Sequence, residues 1–192
     1  MANHYIDKKG ELIAVCGSSG SGKSTLVRYA LSTMVDNLDY MKTITTREPR
    51  PHEDDVEYTF ATSSEYDRMR DRASVWDESL IYGNRYGVNA SFYIEEIRKG
   101  RNLIFCSVPS STILDGMCQV YGKITTVHLK TDLETSFERQ KMRDGVKNLG
   151  RLAVDRAMDV QKAFTADYIM QPTGVIDDDK AEFLKIIMGI IE

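Results

Sequence analysis

The chain has 192 residues, of which 42% are apolar and 28% are charged, a composition typical of one globular domain and not of a disordered chain. Its formal net charge of −4 argues against a general nucleic-acid binder, since such proteins present a basic face. No apolar run approaches the roughly 18 residues of a membrane span, and no secretory signal is visible, so we expect a cytoplasmic protein with neither a membrane nor a nucleic-acid partner.

Strand and helix patterns alternate along the first half of the chain. In chain order, they predict a strand at Leu12–Cys16, a helix from Lys23 to about Met34, strands at Tyr40–Thr46 and Val56–Phe60, a helix from Thr62 to about Arg72, and an extended stretch at Val75–Tyr82. Thr62 and Glu65 have the spacing of a capping box. Residues 43–88 are more polar and less periodic than their flanks, which indicates an inserted lobe.

The second half is more regular. Its patterns predict helices at Asn89–Lys99, Ser110–Gln119, Thr131 to about Arg143, Leu149–Ala166 and Asp177–Ile190, with strands at Leu103–Ser107, Ile124–Leu129 and Tyr168–Met170. Thr131 and Glu134 form a second candidate capping box. Alternation of this kind predicts an α/β fold with a mostly parallel sheet flanked by helices.

One motif carries a clear chemical mechanism. Residues 17–24, GSSGSGKS, match the pattern G-x-x-x-x-G-K-[ST] between a predicted buried strand and a helix. In such a loop, backbone N–H groups and the helix N-terminus face phosphate oxygens, Lys23 supplies positive charge, and the Ser24 hydroxyl is a candidate Mg²⁺ ligand. The candidate ATP-binding residues are Gly17, Ser18, Ser19, Gly20, Ser21, Gly22, Lys23, Ser24 and Thr25.

Two further segments, in order after this loop, identify a family. Residues 45–50 are TTREPR, followed by Glu53 and by VEYTF at 56–60, and residues 82–87 are YGNRYG. Together with the loop, they resemble the guanylate kinase family of P-loop nucleoside monophosphate kinases. The resemblance implies a P-loop-type core at 1–42 and 89–192, an acceptor-binding lobe at about 43–88 and a helical lid at about 131–158.

The resemblance also implies ATP, Mg²⁺ and a small phosphorylated acceptor as ligands. Arg47, Arg50, Tyr58 and Tyr86 would hold the acceptor phosphate, which suits guanidinium forks and phenolic hydroxyls. Thr43 and Asp77 would face the acceptor base. Three lid arginines would approach the transferring phosphoryl group: Arg139, Arg143 and Arg156. Of these, Arg139 would also bind ATP. Of all these, the expected catalytic residues are Lys23, Arg47, Arg143 and Arg156.

Two departures of the sequence from the family pattern concern the metal and the acceptor base. The family carries two acids at the end of one strand, where this chain has Cys106, Ser107 and Val108, and a hydroxyl residue where this chain has Val88. The missing acids help to organise Mg²⁺ and to select guanine. Candidates to replace the metal-organising acid are Glu53, Asp54 and Asp55.

These departures leave three functional alternatives. We expect an ATP-dependent kinase for a nucleotide such as GMP or dGMP. The sequence YGV at 86–88 is also similar to ribose 1,5-bisphosphate phosphokinase, although this chain keeps Arg50 and Tyr58, which that relative lacks. A non-catalytic binding module related to guanylate kinase is the third alternative, and the complete phosphate loop argues against it.

Overall fold

A computed structural model describes residues 10–49, 56–81, 83–107, 111–144 and 165–192. The strands are β1 Leu12–Cys16, β2 Asp39–Tyr40, β3 Thr43–Thr45, β4 Tyr58–Phe60, β5 Trp76–Ile81, β6 Asn84–Asn89, β7 Leu103–Ser107, β8 Thr125–Leu129 and β9 Tyr168–Met170. The helices are α1 Lys23–Thr33, α2 Ser63–Arg72, α3 Ala90–Arg98, α4 Ser111–Tyr121, α5 Leu133–Asp144 and α6 Ile176–Ile191. No helix in these ranges is both long and apolar enough to cross a membrane.

The central sheet has five parallel strands in the order β2-β7-β1-β8-β9. Every residue of β1 is buried, as expected for a strand covered on both faces. Its alternate side chains enter two core clusters: Ile13 and Val15 pack in the cluster that includes residues of α1 and α6, while Leu12 and Ala14 pack with residues of α3 and α4. The predicted α/β fold with a parallel central sheet flanked by helices is confirmed.

A second, four-stranded sheet has the order β4-β3-β6-β5. In this sheet β3 and β4 are parallel, whereas β6 runs antiparallel to both β3 and β5. The hairpin of β5 and β6 turns at Gly83, whose φ of +77° favours glycine. The strand β6 was not predicted, because its sequence NRYGVN has no clear alternation of apolar and polar residues.

The prediction of a single strand at Tyr40–Thr46 is wrong. Residues 39–40 pair with β7 in the central sheet, and residues 43–45 pair with β4 and β6 in the second sheet. Between them the chain crosses from one sheet to the other, and the side chain of Met41 is buried in the core. The buried residue Met41 therefore lies at the break between two strands, within a segment whose composition resembles that of a single strand.

The two predicted capping boxes have different outcomes. At α2, the Thr62 hydroxyl accepts from the Glu65 N–H and the Glu65 carboxylate accepts from the Thr62 N–H, so this box is confirmed. At α5, the Asp132 carboxylate accepts from the N–H of Thr135 at 2.7 Å, so the proposed Thr131 cap is wrong by one residue. The predicted helix at Leu149–Ala166 lies almost entirely outside the described residues.

Candidate active site

The phosphate loop, residues 17–24, leaves the carboxyl end of β1 and enters α1. Gly20 and Gly22 have φ values of +87° and +97°, a region that L side chains rarely adopt. A side chain at Gly20 would also collide with the backbone carbonyl of Ser136 in α5. The pattern of glycines thus gives the tight curvature that lets successive N–H groups surround an anion.

Side chains of the loop hold it in this shape. The ammonium group of Lys23 donates to the carbonyl oxygens of Gly17 and Ser18 at 2.7 and 2.8 Å. The hydroxyls of Ser18 and Ser136 lie 3.0 Å apart in a buried hydrogen bond, which ties the loop to the first turns of α5. The lysine ammonium group and the curved backbone at a helix N-terminus together supply the hydrogen-bond donors that a nucleoside triphosphate requires, so these residues fit ATP.

Sequence analysis missed one residue of this site, Glu57. The side chain of Glu57 is only 10% exposed, and Oε2 accepts from the Ser24 hydroxyl at 3.1 Å. The other oxygen, Oε1, accepts from Nε of Arg28 at 3.4 Å. The sequence offers one signal for it, an acid directly before the tyrosine that was expected to bind the acceptor phosphate.

Glu57 lies beside the end of β7, where the family acids are absent. Burial, followed by the negative charge of Glu57, raises the pKa of the Cys106 thiol to about 12, so this thiol is neutral at physiological pH. The N–H of Cys106 donates to the Tyr40 hydroxyl at 3.2 Å.

The other acids that were candidates to organise the metal, Glu53, Asp54 and Asp55, lie outside the described residues, as does Val108. In the described ranges no cluster of three or more His, Cys, Asp or Glu side chains could hold a metal by itself.

Three predicted acceptor residues come together on the second sheet and the loop that follows β3. The guanidinium carbon of Arg47 lies 5.2 Å from the ring centres of both Tyr58 and Phe60. The rings of Tyr58 and Tyr86 meet edge to face, with centres 6.2 Å apart. Burial is the main cause that raises the pKa of Tyr58, so its hydroxyl keeps its proton and can donate to an anion.

The residues expected to face the acceptor base form a row across the same sheet. Thr43 pairs with Tyr58, and Asp77 pairs with Val88. Because Ile44 pairs with Gly87 in antiparallel register, Thr43 and Val88 are opposite each other. Burial raises the pKa of Asp77, and Val88 is 6% exposed within the core cluster that contains Phe105.

The remaining predicted residues are less completely described. Arg139 is exposed on α5, three residues after Ser136. The backbone of Arg143 also lies in α5, but its side chain lies outside the described part of the chain, as do Arg50 and Arg156 entirely. Their expected roles stay predictions.

Comparison with known proteins agrees with the phosphate loop and the acceptor residues described above. The family model described as "Guanylate kinase" matches residues 9–168. A guanylate kinase of Thermotoga maritima is 33% identical over 97 residues, which are 50% of this chain and 46% of that protein. The chain thus spans about half the length of the curated relatives it matches.

Solved structures show the same fold at low identity. A guanylate kinase from Anaplasma phagocytophilum has a TM-score of 0.68 at 16% identity, with 96% of this chain and 87% of that one covered. A gluconokinase from Sinorhizobium meliloti has a TM-score of 0.53 at 13% identity, with 96% and 95% covered. These likenesses concern the fold alone, whereas the family model covers most of the sequence, and by that match the chain belongs to the guanylate kinase family.

Proposed function

We propose that this protein is an ATP- and Mg²⁺-dependent nucleoside monophosphate kinase that transfers the γ-phosphoryl group of ATP to the phosphate of GMP or dGMP. The observation that carries the proposal is the position of two adjacent residues. The side chain of Glu57 contacts Ser24 of the phosphate loop, while that of Tyr58 contacts Arg47 and Tyr86. The start of β4 therefore joins the donor side of the site to its acceptor side.

Catalysis in such a site is positioning together with charge neutralisation, and it needs no covalent intermediate. The phosphate loop and Lys23 bind the triphosphate, and the Ser24 hydroxyl would hold a Mg²⁺ ion, which would supply neutralisation of the phosphate charge. Arg47, Arg50, Tyr58 and Tyr86 hold the acceptor phosphate, and the Tyr58 hydroxyl donates because burial keeps it protonated. Positive charge near the transferring group comes from three arginines: Arg139, Arg143 and Arg156.

Recognition of the acceptor base rests on fewer polar groups than the family pattern provides. Guanine presents N–H donors at N1 and N2, which the carboxylate of Asp77 can accept, and an O6 acceptor, which needs a donor. Val88 has no hydrogen to donate, so O6 loses a partner there. An unpaired buried polar group costs about 1–3 kcal/mol, and we infer that discrimination against other bases is correspondingly weak.

The apolar character of Val88 also supports a second candidate substrate, a sugar phosphate such as ribose 1,5-bisphosphate, which has no base to recognise. Arg47, Tyr58 and Tyr86 would bind either acceptor, because they address its phosphate. A binding module without catalysis is less well supported, since Lys23 and the glycines of the loop keep the geometry that ATP requires.

A panel of acceptors assayed with ATP and Mg²⁺ tests the proposal: GMP, dGMP, AMP, CMP, UMP and ribose 1,5-bisphosphate. We expect ADP formation to depend on the acceptor and to be fastest with GMP or dGMP. Fastest turnover with ribose 1,5-bisphosphate would support the second candidate. Absence of turnover with every acceptor, together with no heat of ATP binding in calorimetry, would refute the kinase and favour the binding module.

A further inference from the structure

Glu57 is a buried acid that the steps above leave without a role. Transfer of a carboxylate from water into a protein interior is unfavourable unless positive charge and hydrogen bonds offset it. Its partners are the hydroxyl of Ser24 at 3.1 Å and the guanidinium of Arg28 at 3.4 and 3.5 Å. The side chain of Arg28 is 41% exposed, and ion pairs with exposed partners contribute little, so this pair alone is a weak reason for burying an acid.

The surroundings of the carboxylate are those of a cation site that a nucleotide completes. Its oxygen already contacts the one side chain of the loop, Ser24, that the motif assigns to the metal. The end of β7 carries a thiol and a hydroxyl at Cys106 and Ser107, so it supplies no negative charge. Mg²⁺ in phosphate-transfer sites is held by one or two carboxylates together with substrate phosphates and water, without a dedicated protein cage.

We propose, on the basis of the proposed function, that Glu57 organises the Mg²⁺ ion of the nucleotide from the start of β4, either as its ligand or as an acceptor for one of its waters. The site then consists of the Ser24 hydroxyl, the Glu57 carboxylate and the phosphates. Arg28 balances the acid while no metal is bound, and the acid comes from the acceptor side of the site instead of from β7.

A role in organising the metal predicts that loss of Glu57 changes nucleotide affinity differently with and without Mg²⁺, whereas a purely structural role does not. Without metal, the carboxylate repels the triphosphate, so its removal should leave metal-free nucleotide binding unchanged or tighter. With metal, the carboxylate attracts the complex, so its removal should weaken binding. If Glu57 only anchored β4 to α1, its loss would weaken both forms of binding together.

Calorimetry with a non-hydrolysable ATP analogue tests this, in excess Mg²⁺ and in excess EDTA, without acceptor. The measured quantity is the ratio of the metal-free Kd to the Mg²⁺ Kd. For Glu57→Gln we expect that ratio to fall about 10- to 100-fold, the usual effect of losing a metal-organising partner, with the metal-free Kd no weaker than in the wild type. Arg28→Gln is the matched control, which removes the ion pair but keeps the acid, and it should retain the wild-type ratio.

An unchanged ratio in Glu57→Gln, or an equal fall of the ratio in Arg28→Gln, would overturn the role of Glu57 while leaving the kinase proposal intact. A wild-type protein that binds neither form of the analogue would instead overturn the proposed function, and this role with it. Circular dichroism checks that each variant is folded. If Glu57→Gln is not, Glu57→Met serves for the same measurement and the same expected fall, since apolar replacements of buried ionic groups are often tolerated.

Discussion

Replacement of Arg47 by lysine separates two roles of this side chain, its positive charge and its planar fork. The guanidinium lies 5.2 Å from two aromatic ring centres and donates from Nη1 to the carbonyl of Glu48 at 2.7 Å. The backbone N–H of Arg47 also donates to the Thr45 hydroxyl at 3.1 Å. The group is therefore oriented before any acceptor binds, and a lysine ammonium would keep the charge but lose the stacking and the second donor.

The size of the effect follows from the number of hydrogen bonds lost. A fork can donate two parallel hydrogen bonds to a phosphate, whereas an ammonium in the same place makes one such contact. A hydrogen bond to a charged group contributes about 1.5–3 kcal/mol, which corresponds to a fall of about 10- to 150-fold in kcat/KM for the acceptor. Arg47→Ala should lose more than this, because the charge is removed as well.

The assay is initial-rate kinetics with the acceptor varied at saturating ATP, followed by ATP varied at saturating acceptor. Arg47→Lys should change the kinetic constants for the acceptor and leave the KM for ATP within about twofold of the wild type. A change of that size corresponds to a free energy well below that of one hydrogen bond. Arg98→Lys is the control, since Arg98 is an exposed arginine on α3 that pairs with Glu95. Unchanged acceptor kinetics in Arg47→Lys and Arg47→Ala would refute the reasoning and make Arg47 a surface charge.

Three further predictions follow from the same site. Lys23→Ala should lower kcat by at least about 100-fold, with an unchanged circular dichroism spectrum, because it removes the charge that faces the phosphates; a variant of normal activity would exclude the phosphate loop from catalysis. Val88→Thr should lower the KM for GMP about 2- to 10-fold through one new hydrogen bond to O6, without a comparable change for AMP, and an equal change for both would place Val88 away from the base. Burial raises the pKa of Cys16 and of Cys106 to about 12, so both thiols stay protonated near pH 8. Iodoacetamide should therefore modify the exposed Cys118 first in the native protein, which mass spectrometry can follow. Equal labelling of all three cysteines would contradict the raised pKa of Cys16 and Cys106.

The parts of the fold that sequence predicts well are encoded locally. Leu12–Cys16 is apolar at every position, so it predicts a strand buried on both faces, and the glycines that follow specify the loop without reference to distant residues. The capping box at Thr62 and Glu65 is similarly confined to four residues. Sequence reasoning is strong wherever a segment and its immediate neighbours determine the structure.

The sequence predictions fail where pairing with residues distant in the chain determines the structure. The division of Tyr40–Thr46 depends on which sheet each half joins, and the partners of the two halves, β7 on one side and β4 and β6 on the other, lie far apart in the chain. The cap of α5 is wrong by a single residue, because Thr131 and Asp132 are both good capping residues and only the backbone geometry selects Asp132. No local pattern distinguishes these alternatives.

Glu57 shows that sequence-based prediction of the site's chemistry has the same limit. Ser24 and Glu57 are 33 positions apart in the chain, so a search for a carboxylate at the end of β7 finds only Cys106 and Ser107. What a phosphate site requires is negative charge at a position in space, and several segments of an α/β fold reach the edge where parallel strands end. A carboxylate directly before β4 can therefore serve where β7 has none, provided that the loop before β4 brings it to Ser24. In this family, a missing acid in one strand is evidence against metal binding only after the side chains that reach the same position from other strands have been considered.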